Sequence, residues 1–461
     1  VPAPPPLPSP PLRAPRSETE DQHFFPRTRF AGTLSGHGSS IAVGFSLWID
    51  GLGLLHLELD TMPYSPEAGA LHLHQRPGSP VDLLDLVGES AEGHRFSSDS
   101  FSISRYRHGS DFELQGDCYD AELVLPRDRR HDTSHDTRAW RVRQFSTFRR
   151  IAHDTPLGRV IISGPERDRE SQDPNGFIAI HRREGDTDER WWEESDQLLT
   201  HIARVLSFAC DTYLRPVIEE RYANGEVTIR VARQGRASAP FMQPFHFLDM
   251  QPIFAVACQS YFDRHDEIEQ LDAAIRWLTA PVAYDESRLI NAMSALENIL
   301  ARCGVEQIEY YLGNAAFKKV AKAVRDGLKE AGAPEAMIPK VAELNRRSLC
   351  DKVEALLAAR GIRSDDFSEG WLATVIQHRN VIVHTGISPD FGDTEPDTLD
   401  HAIWVREIVT RIILERLGFV GGYRSWLHGD EQLRFPECIT MEQWVRQQEA
   451  TAANGPPTEQ R

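Results

Sequence analysis

Apolar residues recur at every second position through much of the first half of the chain. Ile41, Val43, Phe45, Leu47 and Ile49 are separated by Ala42, Gly44, Ser46, Trp48 and Asp50, and Leu55, Leu57 and Leu59 repeat the period. A period of two puts one set of side chains on one face of a strand. Breaks rich in Gly, Pro and Asp delimit further short strands near Phe112–Leu114, Glu122–Leu125, Val142–Phe148, Val160–Ser163 and Phe177–His181. Residues from Phe24 to about Arg183 therefore read as a mostly β module.

The period then changes. Leu198, Ile202, Val205 and Leu206 predict a helix over Glu193–Tyr213, and Val217–Tyr222 and Val227–Val231 flank Asn224-Gly225, a type I′ hairpin signal. From Asp285 onward the chain reads as about five helices with legible ends, joined by short loops as in an antiparallel bundle. Asp285 opens a helix carrying Leu289, Met293, Leu296 and Leu300 that stops at Gly304; Ser348 with Asp351 forms a capping box for a helix ending at Gly361. A further helix ends near Gly386, a long one runs from Thr398 to Leu417 before Gly418, and a short one lies near Met441–Gln448. The expected organisation is an α+β multidomain chain. It has a Pro-rich disordered arm (1–22), a β-rich domain (23–190), a mixed connecting region (191–280), an all-α bundle (281–430) and a tail (431–461).

Composition narrows the function classes. With 461 residues, 40% hydrophobic and 26% charged, the chain is long enough for two or three cores. It holds no apolar run of membrane-spanning length and its start lacks a secretory signal, so the expectation is a cytoplasmic protein with no membrane association. Cys118, Cys210, Cys258, Cys303, Cys350 and Cys438 are scattered singly, which predicts free thiols rather than a zinc site or a disulfide framework. A net charge of -18 opposes nonspecific nucleic-acid binding, so any RNA site is local. Every lysine falls between Lys318 and Lys352. On the helix predicted within Tyr310–Gly332, Lys318, Lys322, Arg325 and Lys329 share one face, opposite an expected buried stripe of Phe317, Val320, Ala321, Val324 and Leu328. That ridge is a candidate RNA contact, although such runs usually serve solubility.

The stretch Trp371–Gly386 concentrates the candidate chemistry. Leu372, Val375, Ile376, Arg379 and Val383 fall in one helical register, which puts a guanidinium in an apolar stripe. A cation there implies a pocket or interface where an anion arrives. His384 follows five residues later, with Asn380 one turn before it. Roughly two Arg-x4-His pairs are expected by chance in a chain of this composition, so spacing alone decides nothing. The other pair, Arg130 and His135, lies in a charged segment without apolar register and has no scaffold.

At about 100° per residue, His384 lies about 140° around a straight helix from Arg379, too far for both to face one phosphate. Either the helix ends at His384 through an αL cap at Gly386, or two copies share the residues across a two-fold axis. The chemistry such a pair supports is transesterification within RNA. A neutral imidazole takes the proton of a ribose 2′-hydroxyl, whose oxygen attacks the adjacent phosphorus, and the guanidinium stabilises the growing phosphoryl charge. Asn380 orients the imidazole or holds a phosphate oxygen. No metal or other cofactor is called for, and DNA, lacking the hydroxyl, is not cut. The structural alternative pairs Arg379 with a buried carboxylate such as Glu297 and leaves His384 at a helix C-terminus.

Arg379, Asn380 and His384, with the helix Glu286–Asn298, resemble the HEPN superfamily of helical bundles, in particular the ApeA-type proteins of bacterial antiphage defence. The resemblance covers about Asp285 to Gly418; for the amino-terminal half it is architectural only. It implies a HEPN-like bundle and a metal-independent endoribonuclease, active as a homodimer or higher homo-oligomer. The expected substrate is host RNA such as tRNA, with a phage-derived trigger. Carried over, Arg379 stabilises phosphoryl charge, His384 is general base or acid, Asn380 supports them and Glu297 lines the cleft. Some HEPN proteins only bind nucleotides or partners, which gives a non-catalytic sensor or scaffold as the second reading. A third reading, a metal-dependent hydrolase built on His131, Asp132, His135 and Asp136, lacks a third ligand and a helix. Trp191, Trp192, Phe241, Phe245 and Phe247 could stack bases, but burial accounts for them better.

Overall fold

The computed structural model describes residues 24–61, 65–67, 71, 83–108, 112–126, 135–164, 176–232, 241–302, 309–388 and 396–453. The protein is α+β: a large antiparallel sheet over 25–232 and a mostly helical region over 250–449. The arm at 1–22, Cys303, Gly304, and the His131 and Asp132 of the metal reading lie outside the described residues. The described residues of Val1–Ala203, Leu214–Ala239 and Phe247–Gln251 form one compact unit, and those of Arg204–Tyr213, Pro240–His246 and Pro252–Arg461 a second.

In the first unit, thirteen strands make one sheet. They are β1 (Phe25–Gly36), β2 (Ser39–Ile49), β3 (Leu55–Leu59), β4 (Leu84–Ser90), β5 (Arg95–His108), β6 (Phe112–Cys118), β7 (Asp120–Pro126), β8 (Thr137–Val142), β9 (Ile151–Thr155), β10 (Gly158–Ser163), β11 (Gly176–Arg182), β12 (Pro216–Ala223) and β13 (Glu226–Ala232). Their order is β3-β2-β1-β4-β5-β7-β13-β12-β8-β11-β10-β9, with β6 on β5. The alternation in β2 is borne out, since Val43, Phe45, Leu47 and Ile49 are buried and stand with Phe30, Phe96 and Phe101 in one core. Asn224 and Gly225 both take positive φ, the conformation a type I′ turn requires, and Ala223 pairs with Glu226 across it. This hairpin lies within the sheet, between β7 and β8. The strand expected over Val142–Phe148 lies earlier, over Thr137–Val142, and Gln144, with a left-handed φ of 54°, interrupts the extended run beyond it.

The helices are α1 (Trp191–Cys210), α2 (Met250–Leu278), α3 (Asp285–Arg302), α4 (Asn314–Glu330), α5 (Leu349–Arg360), α6 (Trp371–Thr385), α7 (Thr398–Leu417) and α8 (Met441–Ala453); a small sheet of β14 (Gly421–Ser425), β15 (Glu431–Phe435) and β16 (Ile439–Thr440) precedes α8. The capping box of Ser348 and Asp351 starts α5, and Gly361 closes it in the left-handed conformation. Leu289, Ala292, Met293, Ala295, Leu296 and Ile299 make the buried face of α3, which packs chiefly on α7 and also on α6 and α5.

Around α7 even charged residues are enclosed. Arg411, fully buried, donates to Glu407 at 2.8 Å and to both oxygens of Asp366 at 2.8 and 2.6 Å. Glu407 also accepts from Tyr423 at 2.7 Å and Ser425 at 2.9 Å, so the network is hydrogen-bonded on both sides of its charge.

On α4 the expected stripe is largely uncovered: Ala321 is buried, Phe317, Val324 and Leu328 are half-buried, and Val320 is exposed. Amphipathicity predicts burial of the stripe, but among the described residues only part of that face is covered. No helix among the described residues is long and apolar enough to cross a membrane.

Candidate active site

Helix α6 carries the Arg-Asn-His constellation. Gly370 precedes it and Gly386 follows it, both left-handed, and the Gly386 N–H closes the last turn on the carbonyl of Ile382. The helix presents Trp371, Leu372, Val375, His378 and Ile382 to the interior. The stripe expected through Leu372, Val375, Ile376, Arg379 and Val383 is therefore corrected by about one position. Ile376 and Arg379 lie on its half-buried flank and Val383 is 50% exposed. A histidine takes the position assigned to arginine because polar partners await it there. His378 meets His401 of α7, Nδ1 to Nδ1, at 2.5 Å, and its Nε2 lies 3.0 Å from Ser388 Oγ and 3.2 Å from Thr398 Oγ1.

Arg379 stays at the rim. Its Nη2 donates to Glu297 Oε1 of α3 at 3.3 Å and its Nη1 to Asn380 Oδ1 at 3.2 Å, while Nε is buried with no hydrogen-bond partner among the described residues. The Glu297 side chain is 41% exposed, so this is a rim pair and not the buried carboxylate of the structural alternative. His384 is exposed, one turn from Asn380 and still inside the helix. Asn380 and His384 line the same open depression of about 500 Å³, walled by Ala373, Ile376, Val381 and Cys350. Arg379 does not line it, and no hydrogen bond among the described residues joins Arg379 to His384. The structure thus brings Asn380 to both groups and leaves the guanidinium and imidazole on different sides of one straight helix, as their spacing requires.

The remaining candidates fall as follows. Lys318, Lys322, Arg325 and Lys329 are all exposed along α4. Trp191 is buried and donates to the Leu157 carbonyl at 2.8 Å; Trp192 lies under the Arg221 guanidinium at 3.9 Å. Phe245 is buried, whereas Phe241 is partly exposed beneath Arg288. Asp136, of the metal reading, is paired with Arg182 at 3.0 Å, and no group of three or more possible metal ligands converges among the described residues. Cys210, Cys258 and Cys438 are buried free thiols, with Cys118 and Cys350 half-buried.

The His378–His401 pair is the feature the sequence reading missed. Trp371, Val375, His378 and Ile382 follow the i, i+4, i+7, i+11 register, so a stripe begun one residue earlier carries the signal. Burial holds His401 down at about 4, with His378 adding repulsion against the opposing pull of Asp400 and Asp397. His378 is lowered too, by burial, against Asp397 and Glu286. Comparison with known proteins finds no matching family model, no matching curated protein and no matching solved structure.

Proposed function

We propose that the protein is a metal-independent endoribonuclease of the HEPN type, acting in antiphage defence on host RNA such as tRNA. The observation that supports this reading most is the placement of Asn380. It accepts from Arg379 and shares a solvent-open surface with His384, so one helix carries a guanidinium, an amide and an imidazole accessible to a phosphate. In this reading the His384 imidazole removes the 2′-hydroxyl proton. The oxygen attacks phosphorus, the 5′-oxygen leaves with a proton, and a 2′,3′-cyclic phosphate and a 5′-hydroxyl result. Arg379 faces the phosphoryl oxygens and stabilises their charge.

Because α6 remains helical through His384, a cap that swings the imidazole towards Arg379 is not the remedy for their separation. We therefore place Arg379 of one copy beside His384 of a second. Incubating tRNA with the protein and a metal chelator tests the reading. Cleavage is expected, and Arg379→Ala or His384→Ala is expected to reduce it about a hundredfold or more. Cleavage undiminished in both variants removes the proposal.

The Arg379–Glu297 pair favours a second reading, in which the charge is already satisfied and the bundle only dimerises or binds nucleotide or RNA. Under it, Glu297→Gln leaves tRNA intact and changes only assembly or binding; under the nuclease reading, freeing Arg379 leaves cleavage measurable.

A further inference from the structure

At one end of the large sheet, antiparallel register lines up four side chains across four strands. Thr137 of β8 stands opposite His181 of β11, His181 opposite Arg159 of β10, and Arg159 opposite Asp154 of β9. Directly opposed residues share a face with Cβ atoms about 5 Å apart. The next row on that face, Ala139, Ala179, Ile161 and Ala152, is mostly small. Arg150, two residues before Ala152, is half-buried beside this low ground.

In and beside the row, buried side-chain nitrogens stand without partners among the described residues. Among the described residues, Nε and Nη2 of Arg150, both donors, and the ring nitrogen Nε2 of His181 are buried without a hydrogen-bond partner. Burial first, and then repulsion from Arg159, pushes the Arg150 guanidinium down. His181 is held at about 4, by burial and then by Arg150, His135 and Arg159, so four cationic or potentially cationic groups converge. Arg159 pairs with Asp154 at 3.9 Å, but that carboxylate is 78% exposed, too loose and too wet to offset the cluster. Leaving such donors empty costs far more than leaving exposed ones empty.

The hydroxyl of Thr137 sets the imidazole. It lies 2.8 Å from His181 Nδ1 and 3.3 Å from the His135 carbonyl, and so holds the ring through Nδ1 and leaves Nε2 for another group. A protonated imidazole donates from Nε2 whichever tautomer the neutral ring holds.

We propose that Arg150, Arg159 and His181 form a binding site for a phosphate group, the dianion of a small phosphate monoester or of free phosphate. Two guanidinium groups and a protonated imidazole match three terminal oxygens and a double negative charge, whereas a carboxylate offers two oxygens and one charge. The site lies in the sheet unit and does not depend on the nuclease reading.

Titration calorimetry on the full chain, in chloride buffer, tests it with inorganic phosphate, adenosine 5′-monophosphate and adenosine. Saturable binding of the two phosphates and none of adenosine is expected, with affinity about tenfold or more weaker in Arg150→Met, His181→Gln and Arg159→Ala. Arg159 is exposed, so its variant folds even if Arg150→Met does not. Tighter binding of the nucleotide than of phosphate identifies a monoester as the ligand, and equal binding identifies free phosphate. Absence of saturable phosphate binding, equal binding of adenosine, or unchanged affinity in Arg159→Ala and His181→Gln overturns the site.

Discussion

His401 is an imidazole kept neutral by its surroundings, and that has a consequence for stability against pH. Its folded value of about 4 lies below the ordinary 6.5, chiefly through burial, and His378 is lowered in the same direction. Above about pH 6.5 both folded and unfolded chains carry these groups neutral, and they make no difference. Between about 6.5 and 4 the unfolded chain binds protons that the folded chain refuses, so stability falls, and the loss levels off below 4. Thermal melts across this window are expected to show a falling Tm, with a shallower fall in His401→Gln; an identical slope in the variant contradicts the assignment. Arg411 makes the opposite kind of case, a buried charge matched by Glu407 and Asp366. Arg411→Met leaves Glu407 buried without its counter-charge and should cost about 3–5 kcal/mol in urea unfolding. At this scale the Arg379, Asn380 and His384 pattern was visible in the sequence. The sequence could not show which side of α6 faces inward, because the apolar residues occupy two adjacent registers and the partners that settle the choice, His401 and Thr398, lie on another helix.

Helix ends were the most legible elements, because their chemistry is local. Ser348 and Asp351 exchange side-chain and backbone hydrogen bonds at the start of α5, and Ser348→Ala is expected to lower stability by about 1 kcal/mol, measured by denaturant unfolding with an unchanged m-value. The Asn224-Gly225 turn was legible for the same reason. Less local features were not. Strands β1 and β4 pair with each other in the sheet, yet their sequences alternate poorly, with Gly32 so close to the Val87 carbonyl that a side chain there would collide. Helix α2 runs 29 residues without a continuous apolar stripe and changes direction at Arg264, whose φ of -145° is not helical. On α4, by contrast, the period was plain, but amphipathicity states only that a face is apolar and not that this chain covers it.

For the whole molecule, the proposed activity depends on assembly. Val383 is 50% and Ile387 71% exposed, on either side in sequence of His384, which itself lines a depression with an apolar wall. If two copies pair there, Val383→Asp should shift sedimentation towards monomer and reduce tRNA cleavage together; loss of cleavage with unchanged assembly separates the two effects. The most direct test mixes two inactive proteins. In a heterodimer of Arg379→Ala with His384→Ala, a site sharing residues between copies has one intact combination, the Arg379 of one chain with the His384 of the other. Mixing the purified variants, with time for subunit exchange and a metal chelator present, is predicted to restore tRNA cleavage that neither shows alone. Mixtures as inactive as their components, while the wild type cleaves and the subunits exchange, would contradict it.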